Sequence, residues 1–328
     1  MKDLSVIIPV YNAGLLIDRC LDSIFTQKGE YQVEVICIDD GSTDNSVEII
    51  QQRKEPTIRL LSQPNCGPAC ARNKGIAAAE GRYIAFLDAD DYWEQGFIEK
   101  TLDFLQTHAE CIAVSVGQKH ITMSGESIKP DCIANYDKPI VIDDFHSFWT
   151  QYNHICTGSI AIRTEMARAT GGQRKELRIC EDMEFWVLLS TYGKMGFIPE
   201  VLFVSDGNRI SKHYGFKKYA LRFRNIQTFD SWQRRIAARM SEDDLKRIKP
   251  RLNDIVIGTS RSLILAGEYK RARWNLRYYT PAGQPHYIVK INSHGPIAWY
   301  SFSILYRSYK YVKMNLPYYY HKVFKWKE

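Results

Sequence analysis

The chain has 328 residues and a mass of 38.0 kDa, and 45% of its residues are hydrophobic and 25% charged. That composition excludes a disordered or fibrous polymer and leaves room for a sizeable core and about two domains. The net charge of +7 hides a division: residues 1–205 carry 19 Lys and Arg against 29 Asp and Glu, a net −10, while residues 206–328 carry 25 against 8, a net +17.

In chain order, "LSVIIPV" reads as a buried β-strand, and Ile17, Cys20, Leu21, Ile24 and Phe25 then recur at helical spacing. "VEVICIDD" repeats the strand. "GSTD" supplies a turn with capping candidates Ser42, Thr43 and Asp44, and a helix with Val47, Ile49 and Ile50 follows. "TIRLLSQ" predicts a third strand, a Gly/Pro turn then opens an Ala-rich helix ending at Gly81, and Tyr83 to Leu87 predict a fourth strand. Strands alternating with helices imply a doubly wound, mostly parallel α/β sheet flanked by helices, with ligands at the carboxyl ends of the strands. Periodicity weakens beyond about residue 105, where "CIAVSVG" and "GSIAIR" are strand-like and "EDMEFWVLLSTYG" is a helix with a stripe of Phe185, Leu188, Leu189 and Tyr192. The expected division is into residues 1–105 and 106–205 of the α/β domain and a basic, aromatic, helical extension over 206–328.

All eight cysteines precede residue 181 and show no paired metal-type spacing, as expected of reduced thiols in a cytoplasmic protein. "MKDLSVIIPVYN" has no secretion-signal pattern, and no stretch reaches the roughly 18 apolar residues of a membrane span.

The polar clusters fall at strand ends. Tyr11 and Asn12 follow the first strand, Asp39 and Asp40 end the second, and Asp88, Asp90 and Asp91 end the fourth. Three carboxylates at the end of an apolar run repel one another and lose solvation, so a positive charge is expected beside them. If the backbone stays extended past Leu87, Asp88 and Asp90 point to one face, a bracket for a hard divalent cation such as Mn²⁺ or Mg²⁺. Alone, Asp-Ala-Asp is weak evidence, and Asp91 with Glu94 reads as the capping pair of a helix starting near Tyr92. One carboxylate of Asp39 and Asp40 could accept from a nucleobase N–H while Tyr11 stacks on the base. Arg72 and Lys74 face the same edge, where a cation could meet a phosphate, and a solvated face is the plain alternative. The G-x-G-x-x-G fingerprint and the P-loop are both absent.

Together "SVIIPVYN", "VICIDDGSTDNS", "PNCGPACARNKGIAAAEGRYIAFLDADD" and "GSIAIRTEMARATGG…ICEDMEFWVLLSTYG" resemble glycosyltransferase family 2, inverting enzymes of the GT-A fold. The likeness covers residues 4–205 and implies that 1–105 is the nucleotide-sugar-binding half and 106–205 the acceptor-binding half of a GT-A domain. It implies a nucleotide-sugar donor, usually a UDP-sugar, and a divalent metal. It also implies that Pro9, Tyr11 and Asp40 line the base with Arg72 near it, that Asp88 contacts the ribose side, that Asp90 binds the metal, and that Asp182 is the catalytic base. Spacing alone would assign Glu181 and Asp182 to the helix dipole, with only one of the two facing a site, since helical neighbours point about 100° apart. Val187 and Gln173 depart from the family pattern, where arginine and phenylalanine are common. His213 is a further candidate for the metal or a phosphate.

Residues 206–328 interleave Arg and Lys with Phe, Trp and Tyr. Such a surface suits anionic lipid headgroups on the inner face of the plasma membrane, and packing against the α/β domain is the alternative. No nucleic-acid-binding signature accompanies it. The expected partners are a nucleotide-sugar donor and a glycan or lipid-linked saccharide acceptor. The rival readings are a non-catalytic nucleotide- or glycan-binding module and a sugar-1-phosphate nucleotidyltransferase. The latter would need a basic Gly-rich loop where "PVYNAGLL" stands.

Overall fold

The computed structural model describes residues 2–122, 125–176, 181–206, 234–280 and 284–324. Of these, 2–175 and 181–206 form one compact unit, and 234–324 with Glu176 form a second.

The first unit opens as the hydrophobic pattern predicts: β1 (Leu4–Val10), α1 (Ile17–Phe25), β2 (Val33–Asp39), α2 (Ser46–Gln52), β3 (Ile58–Ser62), α3 (Pro68–Ala78) and β4 (Tyr83–Phe86). It continues with β5 (Tyr92–Trp93), α4 (Phe97–Thr107), β6 (Cys111–Thr122), β7 (Gly125–Lys129), β8 (Ile140–Ile142), α5 (Phe145–Tyr152), β9 (Ile160–Arg163), α6 (Thr164–Ala169), α7 (Glu181–Ser190) and β10 (Lys194–Asp206). The strands form one sheet in the order β3-β2-β1-β4-β9-β6-β10-β5, with β7 on the side of β6 and β8 on that of β10. β1 pairs in parallel with both β2 and β4, β2 with β3, and β6 with β10, while β9 is inserted antiparallel between β4 and β6. The chain leaves β1 toward β2 and β3 and returns to β4 on its other side. This reversal opens a crevice at the carboxyl ends of β1 and β4, where the acidic loops emerge.

Both faces of the sheet are covered. Val6, Ile8 and Val10 of β1 share a core with Ile17, Leu21 and Ile24 of α1 and Leu102 of α4. On the other face α3 lies so close that a Cβ on Gly75 would sit 2.3 Å from Ile7 Cγ2 and 3.1 Å from Ile38 Cδ1. Phe86 meets Phe185 and Trp186 of α7 at ring-centroid distances of 6.2 and 6.3 Å. β10 was not legible as a strand because Gly196 and Pro199 interrupt its apolar pattern; its pairing with β6 shifts register between Ile198 and Val201. α7 is wedged more deeply than an apolar stripe implies, with Glu181, Glu184, Phe185, Trp186, Val187, Leu188 and Leu189 all buried. Glu184 is paired with Arg174 at 3.6 Å.

The second unit is helical: α8 (Glu242–Ala266), α9 (Tyr269–Asn275), α10 (Tyr287–Ser293) and α11 (Pro296–Phe324). Ser241 caps α8 by accepting from the Asp244 N–H at 3.1 Å, and Gly267, at φ 84°, closes it. Ile248, Val256, Leu263, Ala272, Ile288 and Trp299 are buried, and Trp299 Nε1 donates to the Tyr269 carbonyl at 3.0 Å. No helix among the described residues is long and apolar enough to cross a membrane.

Gly81 follows α3, which stops at Ala78 rather than running on to it. A Cβ there would lie 2.6 Å from the Ser5 nitrogen and 2.7 Å from the Leu4 carbonyl carbon. Backbone atoms of a central strand cannot give way as a side chain can. Gly81→Ala is therefore expected to cost about 1–3 kcal/mol in denaturant unfolding; an unchanged midpoint would show that the approach is looser than described.

Candidate active site

The loop after β2 is knitted to the loop after β1. Thr43 N–H donates to Asn12 Oδ1 at 2.7 Å, Asn12 N–H to Ser42 Oγ at 3.1 Å, Ala13 N–H to Ser46 Oγ at 2.8 Å and Gly14 N–H to Asp44 Oδ2 at 2.9 Å. The polar residues of "GSTD" thus tie two loops together, and the helix N-cap residue Asn45 makes no side-chain cap bond. Asp39 Oδ1 accepts from Ser42 N–H at 2.8 Å. Asp40 is more fully engaged, with Oδ1 accepting from Cys66 N–H at 2.9 Å and Gln63 Nε2 at 2.8 Å and Oδ2 from Gly67 N–H at 2.8 Å. A carboxylate offers about four acceptor positions, so one remains on Oδ2. Asp40 N–H in turn donates to the Val10 carbonyl at 2.8 Å, which sets Asp40 beside the end of β1. There Pro9 is half-buried and Tyr11 is 52% exposed.

Beyond Leu87 the backbone does not stay extended. Asp91 N–H closes on the Asp88 carbonyl at 3.0 Å, making a turn through Ala89 and Asp90. Asp88 and Asp90 nevertheless both stay half-buried while Ala89 and Asp91 are buried. Asp91 is not a helix cap either. Tyr92 and Trp93 form β5 against Val204 and Phe203, α4 starts only at Phe97, and Asp91 Oδ1 accepts from Asp206 N–H at 3.0 Å. The capping-pair spacing misleads because β10 competes for these residues.

Two arginines answer the crowding of acids. Arg19 of α1 donates from NH1 to Asp206 Oδ2 at 2.7 Å and from NH2 to the Asp90 carbonyl at 2.6 Å, with its guanidinium 4.7 Å from the Tyr92 ring centroid. Arg72 of α3, only 4% exposed, donates from NH2 to Asp88 Oδ1 at 2.7 Å and from NH1 to Glu181 Oε1 and Gln173 Oε1, each at 3.2 Å. Asp182 adds its charge to the field on Arg72 without direct contact. Of the Glu181–Asp182 pair, Glu181 is thus the one in direct contact with Arg72. Lys74 diverges, donating to the Ser62 carbonyl at 2.7 Å. His213 lies outside the described residues.

The compensation is incomplete. Burial, and then the Asp88 charge, push the Asp90 carboxyl up. Burial raises Glu181 and Asp182 as well, and Arg72 pulls both back. Residual negative charge on half-buried oxygen donors is what a hard divalent cation neutralises, so Asp88 and Asp90 fit such an ion. Among the described residues no three His, Cys, Asp or Glu side chains converge as a ligand set. A cation here would hold one or two protein carboxylates and take its other oxygens from phosphate and water.

A mixed sheet whose parallel β3-β2-β1-β4 part carries acidic loops at its switch point is an α/β architecture of the GT-A type. Residues 5–170 match the family model "Glycosyl transferase family 2", and the chain belongs to that family. The match takes in Pro9, Tyr11, Asp40, Arg72, Asp88 and Asp90 and ends before Asp182. Among curated relatives, the chain is 54% identical over 90 residues to Escherichia coli YibD, named as a glycosyltransferase, covering 27% of this chain but only 26% of that protein. It is 28% identical over 231 residues to Bacillus subtilis TuaG, named as a teichuronic acid biosynthesis glycosyltransferase, covering 68% and 88%. The structure of S. aureus TarS 1-349 in complex with UDP-GlcNAc shares the fold, with a TM-score of 0.57 at 19% identity over 85% of this chain and 89% of that one.

Sequence reasoning missed Arg19 and Asp206 as neighbours of the acid cluster and read Asp91 as a helix cap. The available signal was a cation between apolar positions of α1 and an acid closing an interrupted strand. Burial, then the charges of Asp90 and Asp88, push the Asp91 carboxyl up to about 8, whereas an unfolded aspartate titrates near ~3.9. Between those values the folded protein holds a proton that the unfolded chain has lost, so stability falls as pH rises from about 4 to about 8. Asp91→Asn removes this dependence and keeps an acceptor for Asp206 N–H. In thermal melts with chelator present, its advantage over the native protein is expected to widen from pH 4 to pH 8, and a constant gap would refute the assignment.

Proposed function

We propose that the protein is an inverting glycosyltransferase that moves a hexose from a UDP-sugar to a hydroxyl of a surface glycan or lipid-linked saccharide. The observation that carries this reading is the ion-paired bridge through Arg72, which joins Asp88 at the end of β4 to Glu181, the neighbour of Asp182. Carboxylates suited to the donor and to the acceptor thereby share one site.

In this reading Tyr11 stacks on the nucleobase beside Pro9, and the open acceptor position of Asp40 takes a base N–H, its carboxylate already aligned by three donors. Asp88, steadied by Arg72, faces the ribose side. Asp88 and Asp90 would hold Mn²⁺ or Mg²⁺, which when bound neutralises charge on the departing diphosphate. Asp182 takes the proton of the acceptor hydroxyl as its oxygen attacks the anomeric carbon. The new C–O bond forms as the bond to the diphosphate oxygen breaks with its electron pair, and a single displacement inverts the centre. Burial supports the role of Asp182, since it raises a carboxyl toward the range useful for a base, while Arg72 keeps it ionisable. The UDP-GlcNAc complex of TarS supports the donor class. The net +17 of residues 206–328 and the exposed Ile304, Leu305 and Tyr309 of α11 support a cytoplasmic protein whose second unit touches an anionic membrane surface.

Transfer assays with a panel of nucleotide-sugars test the reading. Asp182→Asn and Asp90→Asn are each expected to lower kcat about 10²–10⁴-fold, and a chelator to abolish turnover of the native enzyme. Binding of a donor that no form ever consumes, with glycan and lipid-linked acceptors supplied, would favour a non-catalytic binding module instead. The pH profile is a separate check. Because the folded pKa of Asp182 is raised, kcat/KM should decline on the acid side at a pH above the ordinary aspartate value of about 3.9, as the base becomes protonated. The residual rate of Asp182→Asn should lack that limb, and an unaltered limb would remove Asp182 from the role.

A further inference from the structure

The helical unit holds a cleft of about 420 Å³ that the transfer chemistry does not use, lined by Lys270, Arg273, Trp274, Arg277, Asn292 and Tyr300. Lys270, Arg273 and Trp274 stand at i, i+3 and i+4 on α9, and Arg277 follows one turn further on. The other side of this segment is packed, with Ala272, Asn275 and Leu276 buried. The cleft side is not. Trp274 is 38% exposed although it is the kind of side chain that a core takes up readily. The Tyr278 ring stands edge-on to it at 5.4 Å.

The three cations repel one another across a small space, as the acids of the first unit do, but among the described residues no carboxylate pairs with them. No ion pair among the described residues includes Lys270, Arg273 or Arg277, although Lys246, Arg247 and Arg251 of α8 each have an aspartate partner. Arg273 Nε donates to Asn292 Oδ1 at 2.9 Å, which aligns the guanidinium without neutralising it. A guanidinium with further N–H groups and two free cations recognises an anion. The exposed indole and the Tyr300 ring offer flat apolar walls to the C–H face of a sugar ring, and Asn292 offers an amide to hydroxyls.

We propose that this cleft binds an anionic saccharide, a sugar bearing a carboxylate or a phosphate. On the reading of the protein as a glycosyltransferase, on which this identification of the ligand's source rests, the saccharide is a unit of the acceptor glycan other than the reacting sugar. An open cleft of this volume admits a sugar unit or two, whereas a nucleic-acid strand needs a longer basic track.

The test titrates the full-length protein by calorimetry with an oligogalacturonide, a phosphorylated maltooligosaccharide, uncharged maltotetraose, oligothymidylate and phosphatidylglycerol vesicles. At least one anionic saccharide is expected to bind, with an affinity that weakens with salt, and maltotetraose is not. Lys270→Gln/Arg277→Gln and Trp274→Ala are each expected to weaken that binding about tenfold or more, while Trp274→Phe largely retains it. The substituted side chains are exposed, so unchanged melting curves separate lost binding from lost folding. Asp182→Asn should bind the saccharide as the native protein does, so the cleft and the transfer reaction stand or fall separately. The proposal is overturned if no anionic saccharide binds, if the cleft variants bind as tightly as the native protein, or if oligothymidylate or vesicles bind through these residues in place of the saccharides.

Discussion

A guanidinium enclosed by protein loses most of its hydration, and only well-placed negative partners offset that cost. Arg72 meets this condition with Asp88, Glu181 and the Gln173 amide oxygen, and the arrangement of the site depends on it. Its three partners come from the loop after β4, the start of α7 and the segment after α6, and the farthest, Glu181, lies 109 residues from Arg72 in the chain. Without the cation these carboxylates would repel one another in a poorly solvated space. With it, each fixes the orientation of the others. A buried pair of this kind contributes little net stability, and its value lies in specifying one geometry.

Arg19 applies the same principle on the neighbouring acids. It holds the Asp90 carbonyl and the Asp206 carboxylate, and Asp91 takes the Asp206 N–H. The turn bearing Asp88 and Asp90 is therefore clamped from two helices and from the end of β10. The loops after β1 and β2 are joined by hydrogen bonds between Asn12, Ser42, Thr43 and Asp44 in the same manner. Catalysis by preorganised charge needs groups held before substrate arrives, and short, mutually bonded polar loops on a rigid sheet supply that.

The charge division along the chain acquires meaning from this. The acidic unit concentrates its carboxylates at strand ends and leaves their repulsion partly unresolved, which suits a cation and a phosphate-bearing ligand. The basic unit leaves cations unresolved around an open indole, which suits an anion. In both, a shortfall of counter-charge falls in a concave place.

Much of the first unit was legible because helix and strand periods are local. Apolar spacing marks β1, α1, β2, α3 and β4 without reference to partners, and the acids at their ends stand out against the runs they terminate. The strand-end residues Pro9, Tyr11, Asp40, Asp88 and Asp90 were legible for the same reason, although the roles assigned to them came from family resemblance. Four things were not legible. β10 is broken by Gly196 and Pro199 and becomes a strand only through pairing with β6. Asp91 carries a helix-cap spacing, but β5 pairing with β10 takes precedence over it. Arg19 looks like any solvated residue of an amphipathic helix, and Arg72 declares no partners in its neighbourhood. Sequence alone thus determined the elements and which of them end in charge, since both follow from interactions within a few residues. Only the tertiary structure decided which charges meet, because ion pairs and strand pairing join positions far apart in the chain, and desolvation on burial sets how strongly each of those charges is felt.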